Sequence, residues 1–435
     1  MSAAAGIDVG GAHHRLLPET IPLRFFGTAV LSHAVAWAGV VIVADALPLH
    51  QGGPGPVAAA FHVLTVGVLL ATAMGASLQM LPVALGRAAP ATWLCNAVYV
   101  LLILGGIALV CGFAASWVEI IAIGAGLLAL AATVYAAVVA AVLWAAPGLR
   151  LVRAHVWAAL GCLGAGLVLA LLLALDYGRA FLPDHAALAV VHMTLVAYGF
   201  LGILALGLSQ ILIPMFAITE PAEGPLPLAA LVLGLAGVVT AVAALLAGEP
   251  GLVAAGAALG LAALGCHVGH VEAMLARRMR RRLGGEFQLI RGSWLMLAPA
   301  LVAAAGLALD LMPETVPALF GFLTLFGWLL SLVMGVQSRI LPFLGSMHVL
   351  RGHARPVAPT KLVDDRCLRI HRWCHFGAIV LVAAGITADQ PTIIRLGGSA
   401  GFVGALAYGL FAITVFRRTR HHLQAAAVSA ARTTS

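Results

Sequence analysis

The sequence predicts an all-α polytopic membrane protein of twelve transmembrane helices in three pseudo-symmetric four-helix repeats, and three observations predict it. Of 435 residues, 62% are hydrophobic and 9% charged, whereas a soluble domain carries about a quarter charged residues. Apolar runs of about 20 residues, the length that crosses the hydrocarbon core, recur along the whole chain. Three of these runs spell nearly the same text: "FHVLTVGVLLATAMGASLQMLPV" (61–83), "VHMTLVAYGFLGILALGLSQILIPM" (191–215) and "GFLTLFGWLLSLVMGVQSRILPF" (321–343).

In chain order the spans fall at 25–47, 57–83, 91–114, 117–145, 153–175, 187–217, 225–247, 250–274, 289–310, 315–343, 372–388 and 392–416. Helices 1–4 make a first repeat over 25–145, helices 5–8 a second over 153–274, and helices 9–12 a third over 289–416. A segment 1–24 precedes them and a basic tail 417–435 follows. Short loops rich in Arg and Lys stay in the cytoplasm. Arg87, Arg150, Arg153, "RRMRRR" (277–282), the segment from Arg339 to Arg372, and Arg417, Arg418 and Arg420 all share one side. The opposite turns carry Asp45, Glu119, Asp176, Asp184, Glu249, Asp310, Glu314 and Asp389, with Arg179 and Arg395 as positive exceptions. Both termini are therefore expected in the cytoplasm of a bacterial-type inner membrane. This topology accounts for the net charge of +8, so the expected partner is the lipid bilayer and not nucleic acid. The N-terminus lacks the charged start, short apolar core and cleavage site of a secretory signal. The first apolar run is expected to stay as a membrane helix. The six cysteines lie within helices or on the cytoplasmic side, where disulfides are not expected.

Aligned on glycine, the three similar runs share a frame: Gly67, Gly75, Pro82; Gly199, Gly207, Pro214; Gly327, Gly335, Pro342. Chance matches to it are expected at on the order of one in a thousand start positions. Glycines on an inner helix let neighbouring backbones approach closely, and the proline is expected to end or kink the helix. The frame falls on helices 2, 6 and 10, once in every four crossings.

Two histidines sit in this frame. His62 lies five residues before Gly67, and His192 lies seven before Gly199, both near the outer ends of their helices. The offsets differ by two residues, about 200° around a helix, so the side chains are expected to point toward different neighbours. A histidine inside a membrane helix is costly and marks a partner or a metal.

With that frame and those histidines, the chain resembles the catalytic subunit of haem-copper oxidases and nitric oxide reductases. The resemblance covers all twelve helices in architecture, but only helices 2, 6 and 10 in motif. It implies that His62 is an axial ligand of a b-type haem and that His192 binds an active-site copper or iron. In the family, helix 10 carries a His-x-His pair; here those positions are Phe320 and Phe322. Helix 7, which bears metal-binding histidines in the family, has none in 226–248, and the tyrosine position after the helix-6 histidine is Val196, with Tyr198 two residues on. The oxygen-reducing centre therefore cannot be assembled in the family's way. Proton pumping is not expected either, because every Asp and Glu lies at or near a helix end or loop.

Other groups extend the candidate site. "DHAALAVVHM" (184–193) offers Asp184, His185, His192 and Met193 near the outer surface, with His185 two turns before His192. Imidazole and thioether together suit copper, while Asp184 and His185 also read as a solvated helix start. His50 could join from the same side. His33 is expected roughly 12 Å or more below His62 in depth. "CLRIHRWCH" (367–375) places Cys367, His371, Cys374 and His375 on one helical face; it reads as a zinc or copper(I) donor set or as a helix start at the interface. "CHVGHVE" (266–272) reads the same two ways.

The expectation is a membrane protein that binds haem, copper or both on its periplasmic side. By resemblance it acts in respiratory, nitric oxide or metal metabolism rather than as a terminal oxidase, with a periplasmic redox partner or respiratory-complex subunit. Two alternatives stand beside it. One is a transporter whose polar path is marked by Gln79, Gln210 and Gln337, residues that read equally as interhelical locks. The other is a non-catalytic subunit or assembly factor.

Overall fold

The computed structural model describes residues 15–221, 224–280, 283–351 and 357–434. The first fourteen residues of the N-terminal segment, Arg281 and Arg282 of the basic run, 352–356 and Ser435 lie outside the described residues. Among the described residues, twelve helices are long and apolar enough to cross a membrane. They are α1 (Thr20–Ile42), α2 (Pro56–Ala84), α3 (Thr92–Ala115), α4 (Val118–Trp144), α5 (Arg150–Arg179), α6 (His185–Ala217), α7 (Leu226–Ala247), α8 (Pro250–Ala276), α9 (Glu286–Ala308), α10 (Val316–Leu350), α11 (Asp365–Thr387) and α12 (Pro391–Ala425). Among the described residues there is no strand.

Successive crossings leave the acidic turns at one end of the bundle, here the acidic end, and the arginine-rich turns at the other, the basic end. Every expected span coincides with a helix, but the helices outrun the apolar text at the basic end. There α10 continues past 343 to Leu350, α11 starts at Asp365 instead of 372, and α12 continues past 416. Hydrophobicity marks where the hydrocarbon stops, whereas a helix satisfies its own backbone and can run on into water. The stretch expected as a loop, roughly 344–371, is thus largely helical, with a short helix at Pro359–Leu362. Arg418 of α12 donates to the carbonyls of Lys361 and Val363 (3.1 and 2.6 Å) and holds that short helix in place. The frame prolines do not end their helices at once. Pro82, Pro214 and Pro342 all lie inside a helix. In α2 and α6 the chain leaves within a turn, and the proline carbonyl accepts the amide five residues on, Arg87 at 2.8 Å and Thr219 at 3.1 Å.

Hairpins α3–α4, α7–α8 and α11–α12 pack side by side, α4–α5, α8–α9 and α12–α1 contacts extend them into three arcs, and α1–α3, α5–α7 and α9–α11 contacts close the ring. Helices α2, α6 and α10 stand inside. Each contains a π-helical stretch, Val63–Leu70, Thr194–Gly202 and Leu323–Leu330. The stretches of α2 and α6 both touch that of α10.

These π turns explain the glycine spacing. Two α turns take about 7.2 residues, and a π turn takes one more residue than an α turn, so glycines eight apart return to one face. In α2, Gly67 meets Ser32 and Gly75 meets Phe25 of α1; in α6, Gly199 meets Cys162 and Gly207 meets His155 of α5. In α10, Gly327 meets Met296, and Gly335 meets Leu289 and Ile290 of α9. Each time, eight residues of the inner helix run against seven of its neighbour. Single apolar side chains such as Leu104, Ile107, Val168 and Ile413 face outward along the ring, with Trp117 and Trp144 exposed at helix ends, as lipid contact and an aromatic belt require. At the basic end, buried Glu286 lies between Arg339 (3.4 Å) and Arg280 (3.9 Å), tying α9 to α10.

A methyl group at Gly207 would stand 2.5 Å from the His155 Cβ, and one at Gly75 would stand 2.6 Å from the Phe25 Cβ. Gly207→Ala and Gly75→Ala are each expected to cost about 1–3 kcal/mol, as overpacking does. Thermal unfolding in detergent should show a lowered midpoint for both. Gly161→Ala, whose methyl meets nothing within 4 Å, should leave it unchanged.

Candidate functional site

The ring of helices encloses a cavity of about 1070 Å³ between α2 and α10, reaching from His50–Gly53 and Glu249 at the acidic end to His267 and Ile290. It is at the upper limit of small-molecule sites, about 300–1,000 Å³. Among the described residues, none of α1, α11 or α12 lines it, and its wall is apolar except for a few groups, without Lys or Arg. His62, His185, His192 and Met193, the residues singled out from the sequence, all line this one cavity, together with His50 and His267.

His62 is the last residue before the π stretch of α2, and its Nδ1 lies 2.8 Å from the Ala58 carbonyl. His192 stands just before the π stretch of α6, its Nδ1 2.9 Å from the Gly166 carbonyl of α5. His185 opens α6, with Nδ1 2.8 Å from Asp176 Oδ2. Carbonyl oxygens only accept, so Nδ1 of His62 and of His192 carries the proton; Asp176, in its ordinary ionised form, imposes the same tautomer on His185. With Nδ1 so anchored, the remaining ring nitrogen is Nε2, the atom that histidines held in this way offer to a metal. Among the described residues, Nε2 of His185 is buried without a partner. For His62 and His192, Nδ1 is the anchored nitrogen of a ring on the cavity wall.

Aromatic rings fix the imidazole planes. His62 stacks on Phe113 (4.5 Å between centroids), Phe113 meets Tyr177 edge-on (6.1 Å), and Tyr177 lies against His185 (4.6 Å). Asp176 also accepts the amides of Phe181 and Leu182 (2.6 and 2.7 Å), so the carboxylate that orients His185 builds the α5–α6 turn too. Asp184 accepts the Ala187 amide (2.9 Å) and caps α6, which is the helix-start role. At the mouth, burial lowers the His50 pKa below its usual value, so that imidazole stays neutral at neutral pH with its lone pair free.

His62 and His192 meet different immediate neighbours, Phe113 of α3 for the one and the Gly166 carbonyl of α5 for the other, while both line the same cavity. The two helix-10 positions do diverge. Phe320 faces the cavity, parallel to Tyr198 at 6.5 Å, while Phe322 turns away onto Trp37 and Phe326. Tyr198 lines the cavity as well, its hydroxyl 2.8 Å from Thr324 Oγ1.

Other candidates separate. Gln79 accepts the Leu17 amide (3.3 Å), Gln210 accepts from His270 (2.8 Å), and Gln337 donates to the Phe26 carbonyl (3.5 Å). None of the three lines the cavity; they lock helices together. His371 and His375 point inward, while Cys374 packs against Gly404 of α12, so 367–375 is not one donor set. Among the described residues, no three His, Cys, Asp or Glu side chains stand as a group that could hold an ion. A cavity histidine would therefore serve singly or with one neighbour. His62 or His192 would each offer one imidazole nitrogen to a haem iron, and a cavity imidazole with the Met193 thioether would offer donors that suit copper.

Sequence reasoning missed Asp176 as the partner of His185, because the pairing spans a turn with no periodicity. It also missed His155, buried against Gly207. No protein-family model matches this chain, and no curated protein matches it.

Asp176→Ala removes three hydrogen bonds at once, whereas Asp176→Asn keeps an acceptor oxygen. Thermal unfolding should show a larger loss for Asp176→Ala than for Asp176→Asn. An equal loss would mean that the carboxylate geometry does not hold this turn.

Proposed function

We propose that this chain is a haem- or copper-binding membrane protein of the haem-copper oxidase type, with its metal centre on the cavity histidines. It acts in respiratory, nitric oxide or metal metabolism, and not as a terminal oxidase. The observation that carries this reading is the shared state of His62, His185 and His192: each anchors Nδ1 on an oxygen, and each lines the same apolar cavity.

When bound, such a centre supplies one-electron transfer and binding of small diatomic gases. The chain's residues do the rest. His62 and His192 present lone pairs at fixed orientation, Asp176 raises the donor strength of His185, and Leu, Val and Phe side chains form much of the apolar wall around them. Phe320 and Phe322, where the family has histidines, leave too few ligands for oxygen reduction. By charge asymmetry the basic end faces the cytoplasm of a bacterial-type inner membrane, which puts the mouth at His50 on the periplasmic side, open to a redox partner. Transport through a polar path is less well supported, since the three glutamines lie off the cavity.

Purification in mild detergent, with oxidised and reduced visible spectra and iron and copper per chain, tests this. A Soret band lost in His62→Ala, or copper lost in His192→Ala, is the expected result. If neither metal is present after expression with ample haem and copper, the reading fails and the cavity is a site for an apolar small molecule.

A further inference from the structure

On the far side of the bundle from the cavity wall, α1, α10, α11 and α12 bury a second set of histidines. His33 and His371 are 0% exposed and His375 is 1% exposed. The His371 ring stands 5.5 Å from His33 and 5.5 Å from His375, centroid to centroid. Each imidazole has one nitrogen bonded and the other buried without a partner: His33 Nδ1, His371 Nε2 and His375 Nδ1. Three orphaned ring nitrogens in one place are an anomaly, because buried polar atoms are almost always satisfied by protein, water or an ion.

The bonded nitrogens decide which lone pairs are free. His371 Nδ1 lies 3.1 Å from the Gly404 carbonyl and must donate to it, so its Nε2 is a bare acceptor. His375 Nε2 lies 2.8 Å from Ser331 Oγ; if it donates there, Nδ1 is bare as well. His33 differs. Its Nε2 accepts the Trp37 N–H at 3.2 Å, so its proton is on Nδ1 and its lone pair is already used. The available donors are therefore His371 and His375, an i,i+4 pair on one helix face, the spacing by which helices present two imidazoles to one metal.

We propose that His371 and His375 bind a single copper(I) ion, a site separate from the cavity. Two considerations select this ion. Zinc in a structural site wants four ligands, and no third His, Cys, Asp or Glu completes a group here among the described residues. The side chains ringed around the pair, His33, Trp37, Ser331, Phe376 and Tyr408, carry no carboxylate, so a dication would be buried without compensation. A monovalent ion that imidazole binds well costs least. Metal on His375 Nδ1 fixes the Nε2 proton toward Ser331, and Gly404 and Ser331 then supply the outer hydrogen bonds that orient such ligands.

The proposal does not depend on a cofactor in the cavity, and its test keeps the two apart. The protein with His62, His185 and His192 all replaced by Ala is loaded anaerobically with copper(I), passed over a competing chelator, and measured for copper per chain. It should retain one copper, and adding His371→Gln or His375→Gln should lower retention by about tenfold or more, with unchanged elution in size exclusion. Should the triple variant not fold, His375→Gln is made in the otherwise unaltered protein. There it should remove one copper per chain and leave any haem spectrum as it was. Copper content unchanged in either His→Gln protein, or retention of zinc in place of copper, overturns the assignment.

Discussion

The close approach of α2, α6 and α10 to the helix before each of them is the constraint on which the rest of this protein depends. Glycine alone lets the backbones come together there, since a Cβ at Gly75 or Gly207 would press on a Cβ of the neighbour. The π turn lets two glycines eight apart keep the same face. An inserted residue also rotates everything before it by about 100° relative to everything after. His62 and His192 both lie just ahead of their π stretches, so the turn that seats the glycines also sets where the imidazoles point. This links the glycine packing motif to the orientation of the cavity histidines, and accords with the tendency of π bulges to mark functional positions.

Much of this was legible in the text of the chain, for reasons that also explain the rest. The twelve helices could be read because membrane insertion demands long apolar runs. Their ends at Leu350, Asp365 and beyond 416 could not, because helix continuation into water leaves no hydropathy signal. The eight-residue glycine spacing held the π turn in plain sight, since an α-helix would have asked for seven. His62, His185 and His192 stood out as polar groups in apolar text. Their meeting in one cavity did not, because it depends on how two helices turn toward a shared space. His33, on α1, gave no sign of His371 and His375 on α11, since only closure of the ring through α12 and α1 makes them neighbours.

The resemblance to haem-copper oxidases, the proposed metal centre and the observed cavity meet at one physical point. Phe320 and Phe322 occupy different spaces, one on the cavity with Tyr198 and the other among Trp37 and Phe326. Replacing histidine at both would remove donors from two sites at once, yet the apolar rings fill the volume and leave the helix packing intact. The helix packing does not depend on ligands at these two positions, because the glycine contacts hold α10 against α9.

What the interior keeps is lone pairs, not charges. Carboxylates and guanidinium groups are confined to the ends, where Glu286 has Arg339 and Arg395 has Asp45. Between them, the polar groups are neutral: glutamines bridging helices, hydroxyls on carbonyls, and imidazoles with one nitrogen anchored. A proton path would need groups that change charge at mid-depth, and a transport path would need polar groups along its wall. Neutral nitrogens held at fixed angles in an apolar surround meet neither need. They suit the proposed metal centre, which would bring its own positive charge and need only donors already oriented.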